Sequence, residues 1–349
     1  MGEDSTAIVF GSPVSVGHVR PLMPFARRLV EHGRVVVWAV SGDHDEPASI
    51  WRQPLAEIGV RFVDLDETAP FHRGRTEEFS SMSLFRRIVG RARDVGPGAA
   101  DAIRAALEGR RATCGVYDFF ALWFYVAAHR LGIEDVISVV SGFPMAVDTI
   151  PVAAYQDDPI YQREVVELRR AGFGAFDELP HSGIIPRDPA LRVACFSSPH
   201  LCPDPPAGIQ LLGVAHEALP LVDAASPPPA EHEALVRELQ SARERGARIV
   251  LLSMGTVVTR MFAKMGSSHV ASLKRLYTTI AAAALRSGAV VVASTCDLSA
   301  ADLGVDEAAL GSVARDRVFA MPFVPQPFLF ARDLVDVMLM HGGANTFYE

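Results

Sequence analysis

Apolar residues in this chain gather in short unbroken runs. Ala7–Gly11 reads AIVFG, Arg34–Val40 reads RVVVWAV and Val60–Leu65 reads VRFVDL. Between them lie VRPLMPFARRLVEHG and ASIWRQPLAEIG, whose apolar positions recur at helical spacing. Strands that are apolar throughout, joined by amphipathic helices, mark a parallel sheet buried on both faces, so the pattern predicts an α/β fold. The alternation continues through a long helical region from about Glu77 to Arg110, with a break expected at VGPGA, then the strand CGVYD, the helix FALWFYVAAHRLG and the strand DVISVV. From Pro151 to Leu212 the pattern is less regular, with a helix expected around Asp158 to Ala171 and short strands at LRVACF and IQLLG.

The stretch HEALPLVDAASPPPAEHE breaks the pattern, because consecutive prolines carry neither a helix nor a central strand. After it the alternation restarts: ARIVLLSMG, a helix around Ser272 to Arg286, AVVVAST, RVFAMPF, a short helix from Gln326 and DVMLMHGG. The expected organisation is an N-terminal Rossmann-like domain over residues 1–215, a Pro-rich linker over 216–229 and a second Rossmann-like domain over 230–349, the two facing each other across a cleft.

Composition narrows the function classes. The 349 residues are 49% hydrophobic, enough for two ordinary cores. A net charge of −8 with no dominant basic stretch argues against a nucleic-acid or anionic-membrane surface. No window reaches the roughly 18 apolar residues of a spanning helix, and no leader pattern opens the chain, so a cytoplasmic protein without stable membrane insertion is expected. The cysteines Cys114, Cys195, Cys202 and Cys296 lie in or beside apolar runs without a framework spacing and read as buried thiols. Nothing completes Cys195, His200 and Cys202 into a metal site.

In open parallel sheets ligands bind beyond the carboxyl ends of the strands, so the residues that follow each apolar run carry the chemistry. His18 follows the first strand, just before a helix gets under way, and Asp118 follows CGVY. A carboxylate behind a histidine makes a general base; a loop histidine beside an Asp118 that caps a helix starting at Phe119 fits the spacing equally well. Gly255 and Thr256 follow IVLLS. His341, Gly342 and Gly343 follow VMLM, and there two glycines let backbone N–H groups at a helix start approach a phosphate. Asn345, Thr346 and Glu349 add donors and a carboxylate one turn on. Asp64-Leu65-Asp66 spells a D-x-D, a pattern able to hold a divalent metal, but here it is expected to be a solvated loop.

Taken together, GHVRPLMPFARRLVEHG, YDFFALWFYVAAHRLGI, LLSMGT, FVPQPFLF and HGGANTFYE resemble, in order and approximate spacing, the family 1 glycosyltransferases of the GT-B fold. The resemblance spans nearly the whole chain and points to enzymes that decorate natural products. It implies His18 as the base that deprotonates an acceptor hydroxyl and Asp118 as its partner. It implies a nucleotide site in which Phe323, where the family more often has Trp, stacks on the base beside Pro325 and Gln326. His341, Gly342, Gly343, Asn345 and Thr346 would cradle the diphosphate, with Gly255 and Thr256 facing it, and Glu349 would bind the ribose. Phe79, Met82, Phe85, Phe143 and Met145 are expected to line an apolar acceptor site.

The implied reaction is an inverting transfer from a UDP- or dTDP-sugar to a hydrophobic small molecule, with no metal and no cofactor besides the co-substrate. The family pattern runs some tens of residues past Glu349. Either the sequence is a truncated form of a longer enzyme, which is the expectation, or a protein partner completes the second domain. A noncatalytic remnant that binds nucleotide or aglycone, and a nucleotide-sugar epimerase, are the rival readings.

Overall fold

The computed structural model describes residues 6–42, 46–68, 81–141, 159–170, 190–197, 202, 204, 208–213, 227–228, 230–264 and 266–340. The chain divides into two compact units, Met1–Ala218 and Leu219–Glu349, and the division falls inside the stretch read as a linker.

The first unit is built from β1 (Thr6–Pro13), α1 (Val16–Val19), α2 (Met23–Glu31), β2 (Val35–Ser41), α3 (Arg52–Glu57), β3 (Arg61–Asp64), α4 (Leu65–Thr68) and α5 (Ser81–Leu107). It continues with β4 (Arg111–Asp118), α6 (Leu122–Arg130), β5 (Asp135–Val140), α7 (Pro159–Arg170), β6 (Arg192–Cys195) and β7 (Ile209–Leu211). Its strands form one parallel sheet in the order β3-β2-β1-β4-β5-β6-β7. Strand order therefore reverses between β1 and β4, and a crevice at the carboxyl ends of these two strands is the natural ligand site of such a sheet.

Both sheet faces are buried, which is why the strands read as continuous apolar runs. Val9, Val37 and Ala39 point into a core shared with α5 and α6, including Ile103, Trp123 and Phe124. Their neighbours Phe10, Val36, Trp38 and Val40 point the other way, to Val19, Leu22, Ala26 and Leu55. The indole N–H groups that this burial would strand are satisfied at the carboxyl edge: Trp38 donates to Ser12 Oγ at 2.9 Å and Trp123 to Ser41 Oγ at 3.1 Å.

Close approach explains two glycines. A Cβ on Gly11 would lie 2.3 Å from the Phe124 ring, so α6 sits on β1 only because that side chain is missing. A Cβ on Gly96 would lie 2.6 Å from Val126. Gly96 belongs to VGPGA, where a break was expected; α5 instead runs unbroken through it with Pro97 inside. The packing of α5 on α6, which Gly96 permits, outweighs the hydrogen bond lost at Pro97.

The second unit contains α8 (Glu233–Glu244), β8 (Ile249–Ser253), α9 (Thr256–Lys264), α10 (Ser267–Arg286), β9 (Val290–Ser294), α11 (Glu307–Leu310), β10 (Val318–Met321), α12 (Gln326–Ala331) and β11 (Val337–Met340). Its parallel sheet has the order β10-β9-β8-β11, so the reversal here falls between β8 and β11. Ile249, Leu251, Val290 and Val292 pack on α8 and α12, whereas Leu252, Val291 and Ala293 pack on α10. The helix expected to begin near Ser272 starts five residues earlier, and α9 lies in a stretch for which no element was expected.

The D-x-D is not a solvated loop. Asp64 ends β3 with its side chain 4% exposed, beside Arg52 at 3.3 Å, and burial raises its pKa above the ordinary carboxylate value. Asp66 accepts the N–H of Gly42 at 2.9 Å and that of Ala48 at 2.8 Å, fastening both ends of the connection after β2. These carboxylates are committed to the fold.

Candidate active site

The geometry of the first unit is set by the reversal in strand order. His18 lies in α1, which begins three residues after β1, rather than ahead of a helix as expected. Asp118 is the last residue of β4, the strand beside β1. Chain positions a hundred residues apart thus reach the same edge from adjacent strands, and His18 Nδ1 lies 3.0 Å from Asp118 Oδ1.

The Asp118 side chain is wholly buried, while that of His18 is 21% exposed. Asp118 does not cap a helix at Phe119: α6 starts at Leu122, after Ala121, and has no side-chain cap. Instead Asp118 Oδ1 accepts the Phe120 N–H at 3.0 Å, and the Asp118 carbonyl accepts that of Ala121 at 2.7 Å, a tight turn that fixes the carboxylate against the strand end. Asp118 Oδ2 is buried without a hydrogen-bond partner among the described residues. The Phe120 ring lies 4.8 Å from the His18 ring, centroid to centroid, and supplies an apolar wall.

A carboxylate only accepts, so the nitrogen facing it bears the proton. That assigns the Nδ1–H tautomer to neutral His18 and leaves Nε2 with its lone pair, the arrangement of a general base. Sequence reasoning missed one polar contact. Ser141, one residue past β5 and buried, places its Oγ 3.0 Å from the same His18 Nδ1. The signal was available, since Ser141 also follows an apolar run at the same sheet edge, but a serine has no chemistry that singles it out.

In the second unit, Gly255 follows β8 with φ 71°, a conformation that favours glycine, and its carbonyl receives both the N–H and the hydroxyl of Thr259. This turn aims the start of α9, at Thr256, towards the carboxyl edge; the Thr256 side chain is not among those described. Gln326, the first residue of α12, donates from Nε2 to Ser253 Oγ at 3.0 Å, tying the segment after β10 to the end of β8. Phe323, in that segment, is 64% exposed, with the buried His232 ring 6.3 Å away, and Pro325 is buried.

Ser253 pairs in register with Met340, so β11 ends beside the Gln326 contact. His341, Gly342, Gly343, Asn345, Thr346 and Glu349 themselves lie outside the described residues, as do Phe79, Phe143 and Met145. Met82 and Phe85 belong to α5, but their side chains are not among those described.

None of the cysteines forms a disulfide. Burial pushes the Cys114 thiol up to about 11 and that of Cys195 up to about 12. Among the described residues no group of three or more His, Cys, Asp or Glu side chains is placed to hold a metal ion, and no helix is long and apolar enough to cross a membrane. His200 lies outside the described residues.

No protein-family model matches the chain, and no curated protein matches it. Solved structures do. The chain aligns over 100% of its length with 78% of the glycotransferase of kitacinnamycin, at 19% identity and a TM-score of 0.60. It aligns over 98% of its length with 77% of a UDP-glucosyltransferase from Polygonum tinctorium capable of glucosylating indoxyl, at 16% identity and a TM-score of 0.61. The glycosyltransferase SnogD from Streptomyces nogalater matches over 99% of this chain and 78% of its own, at 18% identity and a TM-score of 0.54. With two parallel-sheet units joined in this order, the chain has the GT-B fold of these glycosyltransferases.

Proposed function

We propose that this protein is an inverting glycosyltransferase that moves a sugar from a UDP- or dTDP-sugar to a hydrophobic small-molecule acceptor of the natural-product kind. The observation that carries the reading is the 3.0 Å contact between His18 Nδ1 and buried Asp118 at the reversal in strand order, in a fold shared with glycosyltransferases.

In this reading His18 Nε2 takes the proton of the acceptor hydroxyl. The oxygen attacks the anomeric carbon from the face opposite the leaving group, the bond to the nucleoside diphosphate breaks and the anomeric configuration inverts. Asp118 stabilises the imidazolium as it forms. Charge builds on the departing diphosphate, and the backbone N–H groups after β11, with His341, Asn345 and Thr346, would answer it. Phe323 would stack on the base, while Gln326 is held in place by Ser253. The chemistry calls for no cofactor beyond the nucleotide-sugar. The fold's occurrence in a glucosyltransferase capable of glucosylating indoxyl supports a small, largely apolar acceptor.

Two measurements test the reading. Titration calorimetry with UDP and dTDP, without divalent metal, should give micromolar binding that His341→Ala loses. Sugar transfer to a panel of phenolic acceptors should disappear in His18→Ala, while nucleotide binding persists. A protein that melts cooperatively yet binds neither nucleotide would overturn the donor site, and with it the transferase.

A further inference from the structure

We infer that Ser141 is a positioning residue for His18: it is a second acceptor for the Nδ1–H that Asp118 sets, and it holds the imidazole in the orientation that presents Nε2 as the base. The inference rests on the reading of His18 as a base, and it adds a third strand to the site. His18 comes from the connection after β1, Asp118 from the end of β4 and Ser141 from the residue after β5.

His18 Nδ1 has two oxygens at 3.0 Å, Asp118 Oδ1 and Ser141 Oγ. The nitrogen can donate one proton or accept one, and a carboxylate can only accept. Were Ser141 to donate to an unprotonated Nδ1, the nitrogen lone pair would face a carboxylate oxygen across 3.0 Å in a buried site, and Nε2 would carry the proton, useless as a base. With Nδ1–H, both oxygens share the proton and no repulsion remains. Ser141 Oγ therefore accepts.

Two acceptors on different strands also restrain the ring more tightly than one. Rotation of the imidazole towards either oxygen lengthens its contact with the other, and the Phe120 ring, 4.8 Å away, blocks one face. Asp118 Oδ1 is itself shared with the Phe120 N–H, so it does not serve His18 alone. When His18 takes a proton, its Nδ1–H becomes a stronger donor, and Ser141 gives the new charge a second oxygen. Ser141 is buried, so water does not readily replace it.

Nitrogen NMR on protein carrying ¹⁵N-labelled histidine tests this without requiring turnover. The His18 signals are assigned by their loss in His18→Gln. Wild-type protein, at a pH where the ring is neutral, should show a protonated Nδ1 and an unprotonated Nε2. Ser141→Ala takes away one of the two acceptors and should move the Nδ1 shift while Asp118 keeps the tautomer; Ser141→Thr, which keeps the hydroxyl, should restore the wild-type pattern. In sugar transfer, Ser141→Ala should lower kcat about tenfold and leave the donor KM unchanged. Identical His18 shifts in wild type and Ser141→Ala overturn the assignment, whatever the activity. A changed Nδ1 shift in Ser141→Ala, in a protein whose wild type transfers no sugar, upholds the positioning by Ser141 and sinks instead the reading of His18 as a catalytic base.

Discussion

At the residue scale the site turns on one proton. Asp118 keeps it on His18 Nδ1, and an amide in its place does so poorly, because either end of the amide can face the ring. Asp118→Asn should therefore lower kcat by roughly a hundred- to ten-thousand-fold, in the range found when the carboxylate of a His–Asp pair is neutralised, while nucleotide affinity by calorimetry stays at the wild-type level. A second prediction concerns Cys195. Its side chain is fully buried and its thiol is pushed up from 9.0 to about 12, by burial first and Cys202 second. The folded state holds that proton more tightly than the unfolded state does. The resulting stability is whole below pH 9.0 and drains away as pH rises towards about 12. Urea midpoints between pH 9 and 11 should fall more steeply for wild type than for Cys195→Ala, by up to about 1.4 kcal/mol per pH unit.

The pair His18 and Asp118 was legible in the sequence because each follows an apolar run, and all such positions share one edge in a parallel sheet. What the sequence left open was whether Asp118 serves the histidine or a helix. The turn at Phe119–Ala121 decides it by delaying α6 until Leu122. Ser141 also follows an apolar run, but a serine has no chemistry that singles it out, and strand order, which makes β5 the neighbour of β4, is not written in local periodicity.

At the element scale the strands were almost fully readable, since burial on both faces leaves them mostly apolar. Helix breaks were not, and α5 shows why. Gly96 and Pro97 are poor helix residues, yet the helix runs through them because the missing Gly96 side chain lets it press on Val126 and the Trp123 carbonyl. Propensity is local, whereas this contact joins α5 to α6. The comparison with Gly90 in the same helix makes a test. A Cβ at Gly90 meets nothing within 4 Å, so Gly90→Ala should raise stability by roughly 0.5–1 kcal/mol. Gly96→Ala should instead lower it by about 1–3 kcal/mol, because backbone and a β-branched side chain both stand in the way. Urea denaturation followed at the first unit's tryptophans, Trp38, Trp51 and Trp123, reads both changes. If the two substitutions shifted the midpoint alike, the account of why α5 is continuous would fail.

At the scale of the whole molecule, the two units have separate sheets and separate cores, and the proposed chemistry divides between them. The base belongs to the first unit; the nucleotide contacts proposed for Phe323, Gln326 and the turn after β11 belong to the second. Ligand binding stabilises the structure that binds it by RT ln(1 + [L]/Kd), about 2.7 kcal/mol at a hundredfold excess over Kd. Nucleotide should therefore protect the second unit first. All three tryptophans lie in the first unit, at positions 38, 51 and 123, so their fluorescence reports that unit and leaves the second silent. Hydrogen exchange covers both. With saturating UDP or dTDP, amides of β8, β9 and α12 should exchange more slowly, while those of β1, β2 and β4 keep their rates and the tryptophan-detected urea midpoint moves little. Gly11→Ala, which forces a Cβ against Phe124, should do the reverse, loosening the first sheet and leaving nucleotide protection of the second intact. Protection confined to the first unit would place the nucleotide on the wrong sheet for the proposed transfer, and the donor assignment at Phe323 and Gln326 would have to be abandoned.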